Sequence, residues 1–401
     1  MKLTSRQERY KAIEEYRKRP MIVFATTIRP NVPGIMAGDA VREFVDQVEA
    51  IPAEAKSIDV LIHSTGGDPL SAWKIMSLLR ERFDKVGVLV PFMAFSAATL
   101  FALGGDEIVM HPHASLGPID PQIFMKQADG SVKHFAYEDV SAFLRFVSAE
   151  VKITEQAQLS VVIDKLFTVV DPVNIGSAKR ASELSSSIGE RLLLTHMTGE
   201  EKAKARVIAE NLNKSFFAHG DAVSRKRAKE LQLKIAKSDP ELEKLMWEAY
   251  LGLESYMQFR DPFIAVQQYL ADPAGAAALR PAAPLNVPVN APPQFVQNAW
   301  NAVLNQAAQN AVNAAVEVPY TVVNAVLEST RTASEFRTTG KLMAARMPSG
   351  EIQVVGIDTS TCWKPVGPEA APAPAQGVGA AAGVAQPVRA PAPAQPAQPQ
   401  P

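Results

Sequence analysis

Two short stretches, His63-Ser64-Thr65-Gly66-Gly67-Asp68 and Ala94-Phe95-Ser96-Ala97-Ala98-Thr99, each stand where an apolar strand pattern gives way to a helical one. Adjacent glycines after a strand permit positive φ and leave backbone N–H groups open to a substrate. The helix that follows adds partial positive charge at its N-terminus. A serine opening a helix presents a hydroxyl. Together these supply two parts of acyl-transfer chemistry: an oxyanion hole, assigned to Gly66, Gly67 and Ala97, and a nucleophile, Ser96. Neither is specific alone, since Gly-Gly turns are common and small residues in an apolar helix ordinarily serve close packing.

Around these stretches, Met21–Thr26, Ile58–His63, Val86–Val90 and Glu107–Met110 read as strands, three of them almost continuously apolar and therefore buried on both faces. Helical periodicity lies between them at Gly38–Ala50, Leu70–Phe83 and Ser96–Leu103. Repeated strand–helix–strand units predict an α/β fold with right-handed crossovers and a largely parallel sheet, its site at the carboxyl ends of the strands. Val86 to Gly105 approaches membrane-spanning length, but Pro91 and the small residues after it divide the stretch into a buried strand and a buried helix.

The predicted organisation is an N-terminal helical extension (1–20), the main domain (21–270), a Pro/Ala-rich linker (271–297), an accessory helix and β-hairpin (298–365) and a disordered Pro/Ala/Gln tail (366–401). Pro348-Ser349-Gly350 reads as the hairpin turn. The basic N-terminus (Arg6, Arg9, Lys11, Arg17, Lys18, Arg19) reads as a plain solvated helix. A net charge of −1 gives no reason to expect nucleic acid as a partner. A single cysteine, Cys362, excludes an intramolecular disulfide and a multi-cysteine metal site. It suits a reducing, cytoplasmic setting, and no signal peptide is visible.

The diglycine segment His63–Leu79 and the segment Phe92–Leu103, about thirty residues apart, resemble the strand–turn–helix and nucleophile helix of Clp-type proteases. With His113-Ala114-Ser115-Leu116-Gly117-Pro118-Ile119-Asp120-Pro121-Gln122, the match is most similar to the serine dehydrogenase proteinase family of the Clp protease/crotonase-like superfamily, with signal peptide peptidase A among its distant relatives. It covers roughly Met21 to Leu233. The resemblance implies a serine peptidase of β-β-α/βαβ units, assembled as a homo-oligomer on peptide or protein substrates, with no cofactor or metal and no membrane span. It also implies that the remaining catalytic residues follow Ser96 in the chain.

Asp120 is then the acid that orients the base, with an Asx-type turn before Pro121 as the plain alternative. For the base, the family's late histidine points to His219 in Phe216-Phe217-Ala218-His219-Gly220-Asp221, with His196 next. His63 lies beside the diglycine but precedes the serine; His111 and His113 flank Pro112 as turn residues, and His134 sits in a polar loop. The peptidase A relatives imply a rival Ser–Lys dyad, in which a desolvated lysine replaces the histidine. Lys126, Lys133 and Lys152 lie at suitable distances after Ser96, and Lys152 is the foremost of them. Two other classes stay open: a crotonase-type acyl-CoA enzyme, and an inactive scaffold that binds partners.

Overall fold

The computed structural model describes residues 2–126, 132–214, 221–279, 290–313, 316–346 and 351–367. The tail beyond 367, the hairpin turn at 348–350, residues 280–289 of the linker and His219 lie outside them.

Helix α1 (Leu3–Arg17) leads into strand β1 (Met21–Thr26), followed by α2 (Ala40–Glu49), β2 (Ser57–His63), α3 (Pro69–Arg82) and β3 (Lys85–Val90). A short β4 (Met93–Ala94) precedes α4 (Ala97–Leu103), β5 (Glu107–Met110) and β6 (Ser115–Leu116). β1, β2, β3 and β5 pair in parallel in that order, as the βαβ pattern predicts. Every residue of β1 is buried because both sheet faces are covered. Ile58, Val60 and Ile62 of β2 pack with α2, α3 and α4, whereas Leu61 packs on the other face with α1. The period-2 alternation of the strand thereby sends consecutive side chains into two separate cores.

A hairpin of β7 (Gln122–Lys126) and β8 (Val132–Ala136) follows. The chain then turns helical through α5 (Tyr137–Arg145), α6 (Gln156–Phe167), α7 (Pro172–Leu194) and α8 (Lys202–Lys214). His134 therefore stands on a strand, β8, and not in the loop expected for it. After β9 (Val223–Ser224) come α9 (Arg225–Glu230), α10 (Pro240–Met257), α11 (Ala265–Ala271), α12 (Pro273–Ala278) and α13 (Pro293–Asn313).

The C-terminal strands do not form a separate accessory hairpin. β10 (Val318–Glu328), β11 (Ala333–Arg346) and β12 (Ile352–Pro365) are antiparallel and continue the main sheet, in the order β12-β11-β10-β1-β2-β3-β5. The expected hairpin strands exist but are longer, and β10, absent from the sequence reading, joins them to β1. The sheet is thus parallel on one side of β1 and antiparallel on the other. Polar and charged residues broke the apolar runs of these strands in the sequence, because Asn324, Glu328, Ser334, Glu335 and Thr338 are all buried.

α1 also departs from the solvated helix expected. Arg6 is only 1% exposed and Glu328 not at all. The Arg6 guanidinium donates through Nε to Glu328 Oε2 (3.0 Å) and lies 3.7 Å over the Tyr256 ring, while the Tyr10 hydroxyl donates to the same carboxylate at 2.7 Å. Arg17 and Arg19 pair with Asp59 and Glu107 at the amino ends of the parallel strands. Burial pushes the Asp59 carboxyl up to about 6 against the pull of the Arg17 guanidinium. Charge-rich helices ordinarily face water; this one supplies counterions to carboxylates that the sheet buries.

Removing one member of a buried pair leaves the other uncompensated, at roughly 3–5 kcal/mol. Arg6→Met is therefore expected to lower unfolding free energy by about that amount in urea titration, and the double change with Glu328→Leu to restore most of it.

Candidate active site

The turn after β2 ends on Asp68, whose carboxylate accepts from the N–H groups of Leu70 and Ser71 (both 3.1 Å) with Pro69 at the first helical position. This cap, of a type that contributes about 1 kcal/mol, fixes where α3 begins and hence where the glycines lie. Gly66 and Gly67 both have positive φ, +105° and +148°. The Met36 N–H donates to the Gly66 carbonyl (2.7 Å) and the Asp68 N–H donates to the Met36 carbonyl (2.8 Å), so the turn is clamped from the loop after β1. From inside, the buried Ser64 hydroxyl accepts from the Gly66 N–H (3.0 Å) and from Thr26 Oγ1 (2.9 Å).

The second turn meets the first directly. A Cβ on Gly66 would lie 2.7 Å from Ser96 Cβ and 2.6 Å from the Phe95 carbonyl oxygen. The Ser64 N–H donates to the Met93 carbonyl (3.1 Å) and the Phe95 N–H to the Ser64 carbonyl (3.0 Å), stitching the two segments together. Ser96 itself occupies φ +51°, ψ −118°, the N-cap position of α4. A non-glycine residue held there costs on the order of 1–3 kcal/mol and marks functional turns. Thr99, one turn into α4, secures the strain: its hydroxyl donates to the Ala94 carbonyl (2.6 Å) and accepts from the Gly117 N–H (3.1 Å). Ser96 is half-buried and Gly67 exposed. Among the described residues, the N–H groups of Gly67 and Ala97 form no hydrogen bond.

The structure therefore brings together Ser96, Ala97, Gly66 and Gly67, but the Gly66 N–H is given to the Ser64 hydroxyl and so is not open as the oxyanion donor expected of it. Asp120, half-buried, follows Ile119, whose N–H donates to the Leu212 carbonyl at the end of α8 (3.0 Å), and it accepts from Gln122 Nε2 (2.9 Å). The chain returns after residue 220 as β9, which pairs with β6; β6 in turn pairs with β4, two residues before Ser96. Both flanks of the His219 segment are thus anchored beside the stretches carrying Asp120 and Ser96.

The other basic candidates stand apart. His196 Nε2 donates to the Leu103 carbonyl (2.9 Å), at the opposite end of α4 from Ser96, and burial lowers its pKa. A helix of seven residues separates the two by about 10 Å of rise. Lys152 is exposed in the loop before α6. Lys126 and Lys133 stand on β7 and β8, and their side chains lie outside the described residues. His63 lies on the opposite face of β2 from Ile62 and α4, in an aromatic cage of Phe92, Tyr250 and Phe259. It is fully buried, neither ring nitrogen has a partner, and burial lowers its pKa to about 3.

A model of the ClpP-like SDH-type serine proteinases matches residues 36–269, more than half of the chain. The chain belongs to that family. Two uncharacterised proteins of Methanocaldococcus jannaschii are similar, one 31% identical over 54% of this chain and 64% of its own length, the other 28% identical over 51% and 59%. The chain thus spans about three-fifths of the length of the curated relatives it matches. Among solved structures, a mutant of the 1510-N membrane-bound stomatin-specific protease is 16% identical, covering 57% of this chain and 84% of that one at a TM-score of 0.35. A second mutant of it, in complex with a substrate peptide, is also 16% identical, over 56% and 77%, at 0.33. No helix among the described residues is long and apolar enough to cross a membrane, and no group there of three or more His, Cys, Asp or Glu side chains suits a metal ion.

Met36, Ser64, Thr26 and Thr99 were not legible as site residues, because only folding brings residues from four segments onto two turns. Of these, Ser64, two residues before Gly66, and Thr99, three after Ser96, stand within the two quoted motifs.

His63 makes a pH prediction. Its folded pKa lies below the unfolded value of 6.5, so its contribution is complete above about 6.5 and is lost as pH falls toward 3. Asp59 works in the opposite sense, its contribution lost as pH rises from about 4 through 6. His63→Phe, an aromatic that fits the cage, is expected to gain stability relative to wild type as pH falls below 6.5 and to unfold at lower pH, as read by circular dichroism.

Proposed function

We propose that this chain is a serine peptidase that forms an acyl-enzyme on Ser96, with the N–H groups of Gly67 and Ala97 as oxyanion donors. The observation that carries this reading is the contact of Gly66 with a strained Ser96 and with the Ala97 nitrogen, the N–H groups of Gly67 and Ala97 forming no hydrogen bond among the described residues. Membership of a serine-proteinase family agrees with it.

In this mechanism a base accepts the Ser96 proton as Oγ attacks a peptide carbonyl, and the oxyanion formed turns toward the Gly67 and Ala97 N–H groups. Collapse breaks the C–N bond, and the protonated base returns its proton to the departing amine. Water, deprotonated by the same base, then cleaves the ester and frees Ser96. His219 is the proposed base and Asp120 its orienting acid. The anchoring of both flanks of the His219 segment supports this pair. A lysine base requires burial, and Lys152 is exposed. His196 is engaged at the far end of α4.

Peptide or protein substrates, a cytoplasmic setting and a homo-oligomeric assembly belong to the same proposal. Apolar side chains left exposed on α5, α6 and α7, Phe143, Val161 and Val173 among them, support the last.

Ser96→Ala is expected to abolish labelling by a fluorophosphonate probe while circular dichroism stays unchanged; labelling that persists excludes Ser96 as nucleophile. His219→Ala should slow labelling by roughly 10²–10⁴-fold, with Lys152→Ala leaving it intact, and the reverse pattern would establish the Ser–Lys dyad. Gly67→Ala, whose Cβ would fall on the Met36 carbonyl, should reduce the labelling rate about as severely as losing an oxyanion donor, roughly 10²–10³-fold.

A further inference from the structure

The diglycine turn is clamped by Met36, and the loop that carries Met36 is itself held by the C-terminal strands. β10 pairs Val323 with Arg337 and Ala325 with Phe336, so Asn324 is an extra residue with no partner across the ladder. Such bulges re-aim a side chain out of the regular alternation. Asn324 is 2% exposed, and every polar group it has toward this loop is used. Its Nδ2 donates to the Pro33 carbonyl (2.8 Å), its Oδ1 accepts from Thr338 Oγ1 (3.0 Å), and its backbone carbonyl accepts from the Thr27 N–H (2.8 Å).

One residue thereby fastens both ends of the segment between Thr27 and Pro33. The next residue, Gly34, is pressed back onto Thr27: a Cβ there would lie 2.7 Å from both the Thr27 nitrogen and oxygen. Two residues later Met36 holds the Gly66 carbonyl and the Asp68 N–H. The path from Asn324 to Gly67 is short and consists of hydrogen bonds and backbone contacts throughout. β10 lies outside the residues 36–269 matched by the family model.

We infer that Asn324 is a positioning residue of the active site, supplied by the C-terminal strands, whose amide sets the Thr27–Met36 loop and through it the direction of the Gly67 N–H. The catalytic part of this inference rests on the reading of Ser96 as nucleophile; the structural part does not. An amide is required because the site presents a carbonyl on one side and a hydroxyl donor on the other. Aspartate has the same shape but would set an acceptor against the Pro33 carbonyl, the costly case of an unmatched buried polar atom.

The test uses the full chain with Asn324→Asp, followed by amide hydrogen exchange and by fluorophosphonate labelling resolved into the maximal rate (kinact) and the half-saturating concentration (KI). Exchange at Met36 and Asp68 should rise at least about tenfold while amides inside β2 and β3 keep their protection. kinact should fall roughly 10- to 100-fold with KI changed less than about twofold, as expected when a reacting geometry is displaced by a fraction of an ångström to an ångström. Unchanged exchange at Met36 and Asp68 overturns the inference. So does an even loss of protection across the sheet, since Asn324 would then serve stability alone. If the wild type is not labelled at Ser96, the peptidase reading fails, and the exchange pattern still decides whether Asn324 sets the loop. Should Asn324→Asp fail to fold, the same measurements on Thr338→Val, which loosens the amide without adding charge, carry the decision by the same criteria.

Discussion

The contact on which the site depends is the approach of Gly66 to Ser96, closer than any side chain at position 66 would permit. Two parallel strands, each followed by a helix, deliver two turns to the same end of the sheet. At that end the Gly67 N–H of the turn and the Ala97 N–H at the start of α4 form no hydrogen bond among the described residues. A glycine at the contact removes the steric barrier, and the bonds that Gly66 gives to the Ser64 hydroxyl and accepts from the Met36 N–H remove the conformational freedom that glycine would otherwise bring. The strained Ser96 is held by the same logic: Thr99 ties the start of α4 to Gly117, so the unfavourable φ cannot relax without breaking buried hydrogen bonds. Such strain, over-determined by its surroundings, is how a fold presents a hydroxyl to solvent from the floor of an apolar core.

Much of this could be read from the sequence. The four parallel strands follow from runs such as Met21–Thr26, whose uninterrupted apolar character has one physical cause, burial on both faces. The diglycine turn and the serine-opened helix are legible because each is a local rule of backbone geometry, whereas the cap at Asp68 came only with the structure. What escaped is what locality cannot encode. β10 and β11 carry Asn324, Glu328 and Glu335 into the interior, and a strand pattern interrupted by buried charge resembles a surface until the partners are known. Those partners, Arg6 and Tyr10, lie more than three hundred residues away on a helix whose charge also suggested solvent. Each misreading explains the other.

The antiparallel half of the sheet also answers a problem left by the parallel half. Without β10, β1 would be an edge strand, apolar on both faces and carrying a row of unpaired backbone groups, the arrangement that invites aberrant pairing. β10 satisfies that edge with Thr26 opposite Ala325 and Val23 opposite Glu328. Covering an edge requires only some strand in some register. Here the register is specified by chemistry at both ends of the pairing.

At the far end Glu328 enters the pocket of Arg6 and Tyr10; at the near end Asn324 reaches Pro33. A slip of one residue would turn Glu328 to the opposite face, leaving the buried Arg6 without its nearest counterion at a cost of roughly 3–5 kcal/mol. The same slip would withdraw the amide from the loop that clamps Gly66. An ion pair that adds little net stability by itself thus acquires a use as a register lock. Because Asn324 stands four positions before Glu328 on one strand, fixing the second places the first. The charge buried at the end of β10 and the geometry of the turn beside Ser96 are consequences of a single alignment.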